Sequence, residues 1–545
     1  MKISLAQINH HIGNFEGNLQ KMLAAVAEAR NNGSDIVCFG ELATCGYPPR
    51  DFLEFDDFIQ LAYKSVDRLL EETDEIAIVL GSPTKNPEPE GKNLHNSVLF
   101  LYKREIQFIQ HKTLLPTYDV FDEYRHFEPA KEWGVVEFKG KKIALTVCED
   151  IWDVGTNDPM YTVVPCDRMM PFNPDFIINT SASPFNYDHA NSRIATVKAN
   201  MERYKIPMFY VNHVGAQTEL IFDGGSLVSS PDGNIFDEMP YFREDIRHYE
   251  LDQVIKGGIN REQSRDKIQL IHDGLVLGIK DYFSKLGLSK ALLGLSGGID
   301  SAITAVLAVE ALGAENVRVL LMPSQYSSEH SVNDAVALAK TLGIRYDIIP
   351  IKGMYDAFMT ELQPLFGDLP FNVTEENIQA RVRGILNMAV SNKFGHILLN
   401  TTNKSEMSVG YGTLYGDLCG GISVLGDVYK TEIYKLAAYI NREKEIIPVN
   451  TIQKPPSAEL RPNQKDSDSL PPYEVLDPIL YQYIEMRRDP QDIIAMGFDE
   501  STVKRVLKLV NTSEFKRHQT APVLRVSPKA FGSGRRMPIV GKYLS

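Results

Sequence analysis

The chain is poor in cysteine. Its five, at positions 38, 45, 148, 166 and 419 of 545, are too few and too scattered for a disulfide scaffold. No Cys-x-x-Cys pair exists, which removes the ordinary zinc knuckle. No run of about 18 apolar residues is present, so nothing should span a membrane. The opening MKISLAQINHH soon turns polar, unlike a secretory signal. No internal repeat is visible. Positive charge is short as well: 57 Lys and Arg against 71 Asp and Glu leave a net charge of −14, which argues against a general nucleic-acid coat. What remains is an ordinary globular composition, 43% apolar and 23% charged, which excludes a disordered chain. At roughly 100–200 residues per domain, the length points to two to four domains. The expectation is a cytoplasmic enzyme acting on small molecules, with neither nucleic acid nor membrane as partner.

The first half alternates short β-rich runs with amphipathic stretches. Strands are expected at 1–8, 35–40, 75–80, 98–102, 106–110, 142–147, 176–179, 208–212 and 226–229. A helix is expected at 17–31, with Leu19, Met22, Leu23 and Val26 on one face. This is an α/β layered pattern. Near 250–265 a polar stretch, GGINREQSRD, interrupts it and reads as a linker over 251–265, between domains at 1–250 and 266–545. The second domain starts with a helix at 266–286. It continues through strand 291–295, helix 301–312, strand 317–322, helix 328–342 and strand 346–351, the rhythm of a doubly wound parallel sheet. Residues 454–473 are rich in Pro, Ser and Asp and too long for an ordinary connection, so they form either a lid or a disordered insert. The segment 515–542 is locally basic, with Lys516, Arg517, Arg525, Lys529, Arg535 and Arg536.

The sharpest signal is Gly294, Leu295, Ser296, Gly297, Gly298, Ile299, Asp300 and Ser301, between an apolar strand and a helix. Adjacent glycines let backbone N–H groups approach an anion, two serines add hydroxyls, and the helix start adds partial positive charge. GxxxxGK[ST] is absent, so this is not a Walker A loop. Asp300 would repel a phosphate unless Mg²⁺ bridges the two; otherwise it serves only as a helix N-cap. Arg381, Arg383, Lys404, Lys430 and Lys516 are suitable partners for further anions. The two arginines also read as surface charges, and Lys430 as a solvated lysine at a helix start.

The loop resembles the SGGxDS signature of ATP pyrophosphatases, which split ATP into AMP and pyrophosphate. Around it, ENIQARVRG from 376, TTNKSE from 401, GYGTLYGD from 410, GDVYKT from 426 and KPPSAELRP from 454 are similar, in order, to the NAD synthetase family. This resemblance implies a Rossmann-like ATP pyrophosphatase domain, with ATP held by residues 294–301 and Thr401. It also implies deamido-NAD bound by Asn377, Glu406 and Lys516; Arg381 is a further candidate for that anion, and Asp300 and Glu406 for Mg²⁺. Glu406 can alternatively accept from a ribose. Thr402 stands where the family usually has Gly.

In the first half, Glu41, Lys112 and Cys148 each sit at or just beyond an apolar strand, where α/β folds gather reactive groups. A thiol nucleophile needs a base, which Glu41 can supply, and Lys112 can lower the thiol pKa and stabilise an oxyanion. Taken singly, a cysteine so placed is most often structural. Glu41-Leu-Ala-Thr-Cys-Gly-Tyr-Pro, His111-Lys-Thr-Leu-Leu-Pro and Cys148-Glu-Asp-Ile-Trp together resemble the nitrilase/amidase superfamily and its Glu–Lys–Cys triad. That resemblance implies an α-β-β-α sandwich, with Glu123 assisting the triad and Tyr118, Ser183 and His189 binding glutamine. His189 replaces the usual Lys or Arg.

The order of the two halves resembles the glutamine-dependent NAD synthetases. It implies hydrolysis of glutamine to glutamate and ammonia, adenylation of deamido-NAD, and amidation to NAD, in a homo-oligomer. Since NH₄⁺ is no nucleophile, a protected route for NH₃ follows as a hypothesis. Two alternatives remain: another phosphate-loop glutamine amidotransferase, or a nitrilase-type amidase with a regulatory nucleotide-binding domain.

Overall fold

The computed structural model describes residues 1–155, 159–462 and 464–544. It divides into two units, Met1–Arg265 and Asp266–Ser545.

Unit 1 is built on strands β1 (Lys2–Gln7), β2 (Ile36–Cys38), β3 (Ala77–Lys85), β4 (Leu94–Tyr102), β5 (Glu105–His111), β6 (Val136–Phe138), β7 (Lys141–Val147), β8 (Phe176–Ser181), β9 (Met208–Asn212), β10 (Val214–Gln217), β11 (Leu220–Asp223), β12 (Leu227–Ser229), β13 (Ile235–Glu238) and β14 (Asp245–Glu250). They form two six-stranded sheets, in the orders β14-β1-β2-β3-β4-β5 and β13-β12-β9-β8-β7-β6, with β10 and β11 as a separate hairpin. Alternation along each strand sends one set of side chains inward and the next outward. Ile3, Leu5, Val79 and Phe100 of the first sheet share a core with Leu145, Val147, Ile178 and Phe209 of the second. On the outer face of the first sheet, Ala6, Val37 and Ile78 pack against Met22 and Val26 of α1 (Phe15–Asn31) and Leu69 of α2 (Asp56–Leu70). On the outer face of the second, Ala144, Ile177 and Tyr210 pack against Met169 of α3 (Pro165–Met169) and Val197 of α4 (His189–Tyr204). The result is an α-β-β-α sandwich. Strands β3 and β4 run further than the sequence suggested, pairing Ser82 with Ser97 and Pro83 with Asn96. Ser82, Asn96 and Ser97 there are polar yet wholly buried, so hydrophobicity does not reveal them.

The stretch read as a linker has structure of its own. Helix α5 (Leu251–Lys256) puts Leu251 and Val254 into the sandwich core, and Gln263 N–H and Arg265 both reach Glu238. A six-residue helix that buries two apolar side chains is too short a signal to read in a polar sequence.

Unit 2 carries β15 (Ala291–Gly294), β16 (Val317–Leu321), β17 (Arg345–Ile348), β18 (Ile397–Asn400) and β19 (Ile422–Ser423), all parallel, in the order β17-β16-β15-β18-β19. Order reverses between β15 and β18, which opens a crevice at their carboxyl ends, the ligand-binding position of doubly wound sheets. Its helices include α6 (Lys267–Lys285), α7 (Ile299–Leu312), α8 (Glu329–Leu342), α9 (Lys352–Phe366), α10 (Val373–Phe394), α11 (Lys404–Val409) and α12 (Lys430–Ile440). Helices Tyr473–Ile484 and Glu500–Thr512 bury Leu476, Leu480, Val503 and Val506 in a separate cluster. Among the described residues no helix is long and apolar enough to cross a membrane.

Candidate active sites, one in each unit

In unit 1, Glu41 follows β2, Lys112 follows β5 and Cys148 follows β7. The structure brings Lys112 between two carboxylates: its ammonium donates to Glu41 Oε1 at 2.7 Å and to Glu123 Oε1 at 2.8 Å, with both ends of each pair buried. Two residues that sequence reasoning missed complete the cluster. Asn96 Nδ2 donates to Glu41 Oε1 at 2.6 Å, and Tyr47 OH donates to Glu123 Oε1 at 2.8 Å. The backbone N–H of Ala182 reaches Glu41 Oε2 at 3.1 Å. Gly40 has to be glycine, because a Cβ there would lie 2.3 Å from the His213 ring.

Burial pushes Glu41 up, against the pull of Lys112, to about 7. Burial alone would lower Lys112, but Glu123 and Glu41 overcome it and hold the ammonium well above its usual value. Cys148 begins a one-turn helix with a left-handed φ of 40°, an uncommon setting for a residue with a side chain. Burial, then the Glu41 carboxylate, push its thiol well above the usual value, and Lys112 opposes them without winning. Lys112 thus pulls the thiol in the expected direction, but burial penalises the thiolate more than one shared ammonium repays, so the net shift is upward. Beside Cys148, buried Glu149 accepts from Tyr118 OH at 2.9 Å and Tyr161 OH at 3.0 Å. Ser183 Oγ and His189 Nε2 share a 2.5 Å hydrogen bond, and Trp152 stacks on the imidazole at 4.9 Å.

In unit 2, a cavity of about 480 Å³ opens at the β15–β18 reversal. Gly294, Leu295, Ser296, Gly298, Ile299, Asp300 and Ser301 line it, together with Thr401, Asn377, Glu406 and Lys516. Gly297 lies behind the wall, with φ +84° and so little room that a Cβ would meet Ser331 O at 2.2 Å. The loop is internally braced: Ser301 Oγ donates to Gly298 O at 3.0 Å, and Gly298 N–H donates to Ser296 Oγ at 3.2 Å. Lys430 donates to Asp300 at 2.5 Å and lies 3.9 Å from Glu406, while Asn403 Nδ2 donates to Asp300 at 3.0 Å. Burial, then the neighbouring Asp300 carboxylate, push Glu406 up to about 8. The TTNKSE run thus includes a capping box, since Asn403 and Glu406 bond each other's backbone N–H at the start of α11.

Several expected anion partners are elsewhere. Arg381 lies outside the cavity, exposed, with its guanidinium on Leu414 O at 3.3 Å. Arg383, two residues on, does line the cavity, and burial lowers it to about 10. Lys404 is fully buried between Glu485 at 2.7 Å and Asp427 at 3.0 Å, away from the cavity. Lys430 is also buried, so it is no solvated helix-start lysine. In the basic C-terminal segment, Arg517 and Arg535 both pair with Glu514 and are unavailable to ligands. Residues 454–460, 464 and 466 form one wall of the cavity. There Glu459 accepts from Ser331 Oγ at 2.8 Å and Gln379 donates to Leu460 O at 2.9 Å, so the described part of this stretch is hydrogen-bonded to the body of unit 2. Asn463 lies outside the described residues.

Residues 2–161 match the carbon–nitrogen hydrolase family model and residues 271–520 the NAD synthase model, so the class is a carbon–nitrogen hydrolase joined to a NAD synthase. The glutamine-dependent NAD(+) synthetase of Synechocystis sp. is 44% identical over 98% of this chain and 98% of its own, and that of Acinetobacter baylyi is 40% identical over 99% and 98%. The solved structure of the glutamine-dependent NAD+ synthetase from Acinetobacter baumannii, in complex with adenosine diphosphate, covers 99% of both chains at 38% identity with a TM-score of 0.77. The Cytophaga hutchinsonii synthetase, at 20% identity and TM-score 0.85, shares the fold. The chain belongs to the glutamine-dependent NAD(+) synthetase family.

Proposed function

We propose that this chain hydrolyses glutamine in unit 1 and, in unit 2, uses ATP and the released ammonia to convert deamido-NAD to NAD, with AMP and pyrophosphate as the other products. One observation carries the reading: a single chain, alike over its whole length to enzymes of that name, holds both a buried Glu–Lys–Cys cluster and a phosphate loop at a doubly wound crevice.

In unit 1 the Cys148 thiol passes its proton to Glu41 as sulfur attacks the glutamine amide carbon. A carboxyl poised at about 7 suits proton traffic near neutrality. Lys112 donates to the developing oxyanion, and Glu123, Tyr47 and Asn96 hold Lys112 and Glu41 in place. Glu41 returns the proton to the leaving ammonia, and water then clears the thioester. Tyr118, Ser183 and His189 hold the amino-acid end of glutamine, with the hydrogen bond to Ser183 fixing the imidazole.

In unit 2 the loop's N–H groups and hydroxyls cradle the ATP phosphates, and Thr401 contacts the nucleotide. Asp300 and Glu406 fit Mg²⁺: they are oxygen donors of the kind a hard cation takes, and the repulsion that raises Glu406 is a charge conflict a cation relieves. Bound there with phosphate oxygens, the ion would neutralise charge on the departing pyrophosphate. Asn377, Glu406 and Lys516 face the deamido-NAD, and the 454–466 wall keeps water from the adenylate. Exposed Leu365, Leu369 and Phe371 on unit 2 support self-association, and five free cysteines support a reducing, cytoplasmic setting. The test is Cys148→Ala: glutamine-driven NAD formation should vanish while high ammonium still sustains it. Loss of both would overturn the two-site reading.

A further inference from the structure

The proposed glutaminase needs Lys112 and Cys148 at a fixed separation, yet they extend from different sheets: Lys112 follows β5 of the first and Cys148 follows β7 of the second. A single buried carboxylate spans the gap. Asp150 Oδ1 accepts from the backbone N–H groups of Thr113 and Leu114, each at 2.9 Å, and its Oδ2 accepts from the N–H of Val147 at 3.1 Å. Thr113 and Leu114 come directly after Lys112, and Val147 comes directly before Cys148. We infer that Asp150 is a positioning residue that sets the nucleophile against Lys112, by stapling the backbone after the lysine to the backbone before the cysteine. This rests on the assignment of Cys148 and Lys112 made above.

The geometry requires a carboxylate. Three N–H donors converge on two oxygens from two directions, and charge-assisted acceptance is the strongest way to hold them. An asparagine offers one oxygen and one NH₂, so on one side a donor would face a donor. The charged and titratable groups beside Asp150 are the Lys112 ammonium and the buried Cys166 thiol. Burial pushes Asp150 up to about 6, against its three N–H bonds and Lys112. Protonation turns an acceptor oxygen into a donor, so the staple loosens in acid through a group distinct from Glu41.

The test uses the full chain, with three readouts on one preparation. In Asp150→Asn, kcat for glutamine-driven NAD formation should fall by roughly 10²-fold, the effect of a nucleophile misplaced by about 1 Å. KM for glutamine should stay within about threefold, and the ammonium-driven rate within about twofold, since neither depends on that placement. On the acid side, the logarithm of wild-type glutamine-driven kcat should fall with a slope approaching two per pH unit, and that of Asp150→Asn with a slope of one. Asp150→Glu, which keeps a titrating carboxylate but lengthens the staple, should give an intermediate rate and retain the steeper slope. The inference is overturned if Asp150→Asn keeps glutamine-driven kcat within twofold of wild type. It is equally overturned if the ammonium-driven rate falls in step, because the residue then serves the general fold. Cys148→Ala separates the levels: if it abolishes the glutamine-driven rate while Asp150→Asn does not, only the staple fails.

Discussion

Three buried lysines each sit between two carboxylates, and comparing them shows how little the pair itself says about function. Lys112 in unit 1 and Lys404 in unit 2 are closed systems: both partners of each are buried and within 3.0 Å. Lys430 is open. It holds Asp300 at 2.5 Å but stands 3.9 Å from Glu406, and all three line the cavity. What differs is the neighbour. Lys112 adjoins a thiol, Lys430 adjoins a phosphate loop, and Lys404 adjoins Ser527 and the Lys529 carbonyl. The same ion-pair chemistry therefore stands beside the proposed nucleophile, at the wall of a cavity and in a closed buried knot.

Replacing Lys112, Lys404 or the Asp300 partner of Lys430 breaks that comparison differently. Lys112→Met removes the proposed oxyanion donor and leaves two carboxylates buried together. Glutamine-driven NAD formation should fall by roughly 10³-fold or more, while ammonium-driven formation by the folded enzyme is kept; a stopped assay with each nitrogen source reads this. Lys404→Met leaves Asp427 and Glu485 unpaired and should cost about 3–5 kcal/mol of stability. Denaturant titration measures it, and the folded fraction should keep both activities. If Lys404→Met instead lowered only NAD formation, the structural reading of that knot would fail. A smaller effect is expected of Asp300→Asn, which keeps the contact to Asn403 but removes a charge at the phosphate loop. AMP release should drop by roughly 10²-fold, with glutamine hydrolysis within threefold.

The differences among these lysines explain what the sequence could and could not show. The α/β rhythm was legible, because strand alternation and helix periodicity are local. The phosphate loop was legible because its chemistry is contiguous, and Glu41, Lys112, Glu123 and Cys148 because each lies in a recognisable string; the structure then gathers those four. Lys404 and Lys430 look equivalent in sequence, since each opens a helix after an apolar strand or loop, and only tertiary packing separates a knot from a cavity wall. Arg381 and Arg383 are two residues apart on one helix, hence about 200° apart around it, and no local pattern says which faces the crevice. Asn96 carried no motif, and Tyr47, though inside the string that begins at Glu41, carried no sign that its hydroxyl reaches Glu123. Asp150 acts on backbone N–H groups of two distant segments, a contact with no side-chain signature at the other end.

One histidine in each unit, His111 and His272, is shifted in opposite directions, and this pair gives the finest test of the comparison. In unit 1, His111 stacks on His95 at 3.9 Å, and burial, then the charge of His95, lower it to about 4. A histidine whose folded value lies below its unfolded 6.5 contributes stability above 6.5 and loses it as pH falls toward 4. In unit 2, burial works against His272, but hydrogen bonds to Asp273 at 2.8 Å and Glu310 at 2.9 Å prevail and raise it to about 9. Its contribution is complete below 6.5 and is lost as pH rises through about 9. Asp273 and Glu310 are partly exposed, so solvent screening reduces the ion-pair share, and an effect of about 1 kcal/mol, or roughly 2–4 °C, is expected. Thermal melting of His272→Gln should therefore show a shallower decline than wild type between pH 7 and 9.5, with the raised Glu406 carboxyl still contributing, while leaving the acid side unchanged. His111→Gln should make the acid-side loss alone shallower. If either substitution flattened both sides, the two units would not titrate independently, and their stabilities could not be assigned to separate histidines.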